Sequence, residues 1–346
     1  MANAKSKTYR FTFGPWNISM GADPFGPTVR KEVALAAKIR EYKKLGFDGV
    51  QLHDDDAVPP DLIDSDPATL AKTAGKLKKI LEGEGLFAEF VAPRLWEHPK
   101  TIDGGYTSNN AAERKYAIER SKRAIDIANA LDCKDIVLWL AREGTYIREA
   151  KDPIASVGRI LDAVNAMLEY DQTIRILGEM KPNEPMDQAY MPTVGHFLAL
   201  CYKTVAPSRT GVLIESAHSI LAGLDPSDDM ACALWHGKLW SVHLNDQNGL
   251  KYDQDKAFGS VDLRRAFNTV WVLERANYNG CVGLDVKAMR TTKPADQTKH
   301  LANSKAIFER LVEVVRSVDE KKIEEYRAER DYEGLELYIV NKLMGK

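Results

Sequence analysis

Short apolar runs alternate with longer amphipathic segments, and the alternation repeats about eight times along the chain. The strand-like runs fall at 10–16, 49–53, 87–92, 135–140, 175–180, 211–215, 239–245 and 282–287. Between and after them lie segments with helical spacing, at 29–45, 69–86, 111–131, 154–170, 193–202, 226–235, 263–277 and 297–315. In the first of these, Val33, Ala36, Ala37, Ile39 and Leu45 lie on or near one stripe. Strands that are apolar throughout, rather than on alternate residues, belong to a parallel sheet covered on both faces. Eight such units predict a closed (β/α)₈ barrel, a TIM barrel. An open dinucleotide-binding sheet is disfavoured, because no glycine-rich fingerprint follows the first run.

The expected organisation is one barrel domain over 1–316 and a helical C-terminal arm over 317–346. The tail has no strand signal. It carries Lys321, Lys322, Glu324 and Glu325 and ends in a small amphipathic stretch at 335–343. It reads either as a solvated terminal helix or as an arm that packs on another subunit.

Composition narrows the functional classes. The net charge is −2 over 346 residues, so no overall basic field favours nucleic acid or an anionic membrane. Cys133, Cys201, Cys232 and Cys281 are far apart and form no C-x-x-C pair, which argues against a disulfide framework or a zinc knuckle. The start, 1–10, is polar and basic with no apolar stretch behind it, unlike a signal peptide. No apolar run approaches the roughly 20 residues that cross a bilayer. A cytoplasmic protein is the expectation.

In a barrel the active site lies at the carboxyl ends of the strands. That rule selects His53 with Asp54, Asp55 and Asp56 after the second run, and Trp139 near the end of the fourth. It selects Glu179, Lys181 and Glu184 after the fifth, and Glu215 and His218 after the sixth. It further selects His243, Asn245 and Asp246 on the seventh, followed by Asp253 and Asp255, and Asp285 and Lys287 on the eighth. So many carboxylates converging on one mouth would repel strongly unless neutralised. One or two divalent cations are the simplest remedy. Oxygen donors suit Mg²⁺ or Mn²⁺, and the imidazoles would also accept Co²⁺ or Zn²⁺. Other readings exist for single features. The His53 turn reads equally as a solvated acidic turn, Asp253 and Asp255 as loop charges, Trp16 and Trp139 as core aromatics, and Lys181 as a partner of Glu184 alone.

Several stretches together resemble the xylose isomerases, particularly the shorter bacterial type, from Phe11 to about Arg316. They are Phe11 to Trp16 with Asp23-Pro24-Phe25-Gly26, the His53-Asp54-Asp55-Asp56 turn, and Trp139 with Arg142-Glu143-Gly144. Further on come Glu179-Met180-Lys181-Pro182-Asn183-Glu184-Pro185, Pro192-Thr193-Val194-Gly195-His196, Gln247-Asn248-Gly249 with Lys251-Tyr252-Asp253-Gln254-Asp255, and Asp285-Val286-Lys287. The resemblance implies that Glu179, Glu215 and Asp285 hold a first metal. It implies that Glu215 bridges to a second metal held by His218, Asp253 and Asp255. Lys181 matches a lysine that hydrogen-bonds the substrate carbonyl, and His53, oriented by Asp56, a residue that assists opening of the sugar ring. Trp16 and Trp139 match aromatic walls, and Phe25 a residue that reaches a neighbouring subunit's site. The implied activity is aldose–ketose isomerisation of the xylose/xylulose type by hydride shift, with Mg²⁺, Mn²⁺ or Co²⁺ and no organic cofactor. A homodimer or homotetramer is implied.

The pattern departs from the family at specific positions. His243 stands where the family has an aspartate ligand of the first metal, and it enters the candidate ligand set in that place. Leu213 replaces a polar residue, Asp246 a glycine and Met180 a proline. Trp96 stands where the substrate pocket has a smaller aromatic, after changes at Ala92 and Arg94. These departures leave a second expectation open: a diverged barrel enzyme such as a sugar epimerase or a C-glycoside deglycosidase, the latter with a small partner subunit.

Overall fold

The computed structural model describes residues 8–250 and 252–346; the start of the chain at 1–7 and Lys251 of the 251–255 run lie outside the described residues. Eight parallel strands close into a barrel. They are β1 (Arg10–Phe13), β2 (Gly49–His53), β3 (Phe87–Ala92), β4 (Asp135–Trp139), β5 (Arg175–Glu179), β6 (Thr210–Glu215), β7 (Leu239–Leu244) and β8 (Cys281–Leu284). Each pairs with its neighbours in sequence, and β1 closes on β8 through Arg10 opposite Cys281 to Phe13 opposite Leu284. The (β/α)₈ expectation is met.

A helix follows each strand: α1 (Leu35–Lys44), α2 (Pro67–Glu84), α3 (Ala111–Ala130), α4 (Pro153–Tyr170), α5 (Val194–Cys201), α6 (Pro226–Trp235), α7 (Leu263–Arg275) and α8 (Lys299–Arg316). Three of them start at Asp-Pro pairs. Asp66, Asp152 and Asp225 accept hydrogen bonds from the first free N–H groups, and the proline that follows has no N–H to leave unpaired. Outward-facing strand residues such as Val50, Leu52, Ile136, Ile176 and Val242 pack against these helices in the main core.

Some boundaries moved. The first strand stops at Phe13, because Pro15 begins a 3-10 turn over Pro15–Asn17. The first helix starts at Leu35, not near 29. Backbone N–H groups of Val29 and Arg30 donate to Met20, and the buried Arg30 side chain donates to the carbonyls of Ser19 and Met289. Those bonds commit Val29 and Arg30 outside a helix. A two-residue antiparallel ribbon, Gly144–Thr145 with Gln188–Ala189, adds to the mouth. Beyond α8 the tail forms two helices, α9 (Glu320–Glu329) and α10 (Tyr332–Leu343), joined at Arg330 in the left-handed region (φ 56°). Ile323 and Ile339 bury into the main core, so the tail packs back on its own barrel. Among the described residues no helix is long and apolar enough to cross a membrane.

Candidate metal centre

Residues two apart on a strand share a face. Each strand therefore offers the barrel interior a lower and an upper inward position. On one side of the lumen the lower positions are apolar, with Phe90, Val137, Leu177 and Leu213 in a small cluster of their own. On the other side they are polar, with Thr12, Gln51 and Ser241 in one network with Glu89, the extra residue where the β2–β3 register shifts beside Gln51. Gln51 Nε2 donates to Glu89 Oε2 at 3.0 Å and to Thr12 Oγ1 at 3.3 Å, and Ser241 Oγ donates to Glu89 Oε1 at 2.6 Å.

The upper positions hold the chemistry. Glu179, Glu215, His243 and Asp285 each present a ligand atom, and these atoms lie within 4.8 Å of one another. His243 Nδ1 is 3.4 Å from Glu179 and 3.6 Å from Glu215. A second group, Glu215, His218 and Asp253, meets the same distance and shares Glu215 with the first. His218 Nε2 is 3.0 Å from Asp253 and 3.3 Å from Glu215. Asp255 sits apart from that group. Its φ of 44° turns its side chain toward Asn245 and Lys287, with which it pairs. The residues suit a divalent cation. His243 Nδ1, His218 Nδ1, Asp253 Oδ1 and Asp285 Oδ1 are buried without a hydrogen-bond partner, and their chemistry is that of nitrogen and oxygen ligands.

The network below the cluster sets the imidazole of His243. A carboxylate only accepts, so Glu89 turns the Gln51 amide with Nε2 towards it. Gln51 Oε1 then faces His243 Nε2 at 3.0 Å, and that nitrogen carries the proton. In the neutral ring Nδ1 is left as a lone pair aimed at the carboxylates. Gly283 makes the room: a Cβ there would meet Gln51 Nε2 at 2.3 Å and His243 Cδ2 at 2.9 Å. Above, Asn245 Nδ2 donates to Glu215 Oε1 at 2.7 Å while its own oxygen accepts from Ala217 N.

Burial and crowding shape the charges. Burial, added to by Asp253, pushes Glu215 up to about 7, and burial with Glu215 nearby pushes Asp285 up to about 6. Burial alone would raise Glu179 and lower His218. The facing imidazoles outweigh it and hold Glu179 down at about 2, and Glu215 and Asp253 carry His218 up to about 9. His243 is likewise held well above its ordinary value by Glu179, against the effect of burial. A group raised in the fold contributes stability that is complete below its ordinary value and lost as pH rises through its folded one. The metal-free protein therefore loses thermal stability from about pH 4, the ordinary value of an aspartate, to about pH 9, as Asp285, Glu215 and His218 in turn titrate up to about 6, 7 and 9. Saturating Mn²⁺ should reverse the loss, since binding displaces those protons. Differential scanning calorimetry in chelator across that range would refute this if the melting temperature stayed level.

Around the cluster stand Trp16, Trp96 and Trp139. Trp96 meets Trp139 edge-on at 4.5 Å and His53 at 5.1 Å, and Trp16 lies 4.5 Å from His53. Gly14 is required under Trp16, whose ring a Cβ would strike at 2.2 Å. Lys181 Nζ pairs with Glu184 at 2.8 Å and Asp253 at 3.1 Å, over the Trp139 ring at 5.4 Å. Phe25 is elsewhere: it projects from the surface, 81% exposed, against Tyr252. Leu213 is in the apolar lower layer, Met180 in the core, and Asp246 is consumed by the backbone N–H groups of Gln247, Val261 and Asp262.

The acidic turn is neither a solvated surface nor an open ligand set. Asp54 to Asp56 form a one-turn helix, and every carboxylate has a partner. Asp54, fully buried, takes Arg120 at 2.7 and 2.9 Å; Asp55 takes Arg94 at 2.7 Å; Asp56 lies 3.2 Å from His53 Nδ1. His53, Asp55 and Asp56 could group around an ion, but the Arg94 guanidinium stands among them.

A closed parallel barrel with carboxylates and imidazoles clustered at its strand ends is the fold of a barrel protein that could hold a metal ion there. The sequence profile of the xylose isomerase-like TIM barrels matches residues 39–334. The chain belongs to that family. Among solved structures it is similar to a D-tagatose 3-epimerase-like protein, with a TM-score of 0.65 at 16% identity over 89% of this chain and 98% of that one. It is also similar to the 3-keto-D-glucoside 4-epimerase of E. coli (0.60, 16%, 87% and 99%). A xylose isomerase domain protein from Alicyclobacillus acidocaldarius matches as well (0.62, 12%, 89% and 99%). At such identities the likeness is one of fold.

Proposed function

We propose that the protein is a divalent-metal-dependent sugar enzyme that shifts hydrogen at a carbon beside a carbonyl, converting an aldose to its ketose in the first reading. The observation that carries this is the cluster of Glu179, Glu215, His243 and Asp285, in which His243 Nδ1 and Asp285 Oδ1 have no hydrogen-bond partner, under a roof of three tryptophans and one lysine. A bound Mg²⁺, Mn²⁺ or Co²⁺ would polarise the carbonyl and stabilise the adjacent alkoxide. Lys181 uses two of its three N–H groups on Glu184 and Asp253, and the third remains for a substrate oxygen. Trp16, Trp96 and Trp139 keep bulk water from the reacting carbons. Lys181 and the His218–Asp253 pair, both present in the resemblance to the isomerases, support the first reading.

The second reading is a sugar epimerase, or a lyase acting on a C-glycoside. His243 favours it: a neutral ligand replaces a carboxylate, removing one negative charge from the first cluster. Two of the similar structures are described as a 3-epimerase-like protein and a 4-epimerase. The test is metal analysis and product identification for the wild type and His243→Asp, on aldoses, ketoses, 3-keto-glucosides and C-glycosides. Ketose from aldose supports the first reading; epimers or aglycone alone support the second. Loaded metal without turnover of any sugar overturns the proposal.

A further inference from the structure

We propose that Arg94 locks His53 in the tautomer that carries its proton on Nε2, making His53 a hydrogen-bond donor towards the mouth. The resemblance to the isomerases has His53 oriented by Asp56, and a carboxylate that oriented the ring alone would accept a proton from Nδ1 and leave Nε2 as a lone pair. The geometry here opposes that arrangement. Arg94 Nη2 lies 2.6 Å from His53 Nδ1, closer than Asp56 Oδ2 at 3.2 Å. A guanidinium has only donors, so an imidazole nitrogen in contact with it must be a lone pair. An imidazolium, which has no lone pair, would also set two positive charges side by side.

Both partners are committed to these positions. Asp56 Oδ2 is held in place by the backbone N–H of His53 at 2.9 Å. Arg94 is pinned at several points. Its Nε donates to Asp55 at 2.7 Å, its backbone N–H to Asp54 at 3.0 Å, and its guanidinium lies 5.5 Å from the centre of the Trp96 ring. Asp54 is in turn clamped by Arg120. Asp55 and Asp56 on the same short helix, and Arg94 from the loop after β3, are the charged groups facing the ring, with Trp16 and Trp96 as its aromatic neighbours.

His53 Nε2 has no hydrogen-bond partner among the described residues. A fixed Nε2–H recognises an oxygen that only accepts, such as a carbonyl or the ether oxygen of a glycoside, and takes no proton from a hydroxyl. Arg94 is thus a positioning residue that biases the pocket against a ring-opening base. The sugar oxygen rests on the proposed function; the tautomer does not.

The test is ¹⁵N NMR of the full-length protein labelled at histidine, with His53 assigned by its disappearance in His53→Gln. The expected wild-type pattern at neutral pH is an unprotonated Nδ1 and a protonated Nε2. Arg94→Met should move the proton to Nδ1, against Asp56, whereas Arg94→Lys, which keeps a donor, should preserve the wild-type pattern. A wild-type Nδ1–H tautomer or imidazolium overturns the proposal, as does Arg94→Met with unchanged shifts. Should Arg94→Met fail to fold, the wild-type spectrum decides alone. None of these readouts depends on turnover or metal, so a failure of the sugar reading leaves them standing.

Discussion

Glu215→Gln is expected to abolish divalent-cation binding, lowering affinity for Mn²⁺ by more than about 100-fold. Loss of a residue that merely orients a ligand costs about 10–100-fold, and Glu215 is itself the carboxylate common to both groups. The substitution also leaves two facing imidazoles with less negative charge to attract a cation, and an amide oxygen is a poorer ligand than a carboxylate. Asp253→Asn touches only the second group, so its loss should be smaller. Isothermal titration with Mn²⁺ on both variants reads the contrast. Wild-type affinity in Glu215→Gln would show that the cluster is not where cations bind.

The largest expected effect on stability lies behind the site. Arg120→Met leaves the carboxylate of Asp54 buried without its cation, and breaking a buried pair from one side costs about 3–5 kcal/mol. The double change Asp54→Asn with Arg120→Met should recover more than half of that. The asparagine oxygen can still accept from the backbone N–H groups of Asp55 and Arg94, and no charge is left unpaired. Urea denaturation of the two variants checks this. A single variant as stable as the wild type would mean that Asp54 is not held as an ion. Because Asp54 also fixes the Arg94 backbone, the pair supports the site from outside it.

Strand-end position was enough to find most of the centre. Glu179, Glu215, His243 and Asp285 stand at or just beyond the carboxyl ends of apolar runs, where a charge seldom lacks a partner. Lys181 with Glu184 was legible from their spacing of three, and the two do pair. The lower network was missed, though it left a trace. Gln51 and Glu89 are polar residues inside otherwise apolar runs, Gln51 two before His53 on the same face. Arg94 and Arg120 left no such trace. One is in a loop, the other on a helix face, and each is aimed by packing at carboxylates distant in sequence.

The candidate centre therefore divides cleanly between the two sources. The amino-acid sequence by itself determined the barrel and which strand ends carry the candidate ligands. Apolar periodicity is local, and barrel closure sends every strand end to one mouth. The tertiary structure alone decided the state of those side chains and their neighbours: which nitrogen of His243 and His53 carries its proton, that Asp255 turns to Lys287, and that the acidic turn is neutralised by Arg94 and Arg120. Protonation and pairing depend on what lies within about 4 Å, where the interaction energy is greatest, and those neighbours come from segments that only the closed barrel brings together.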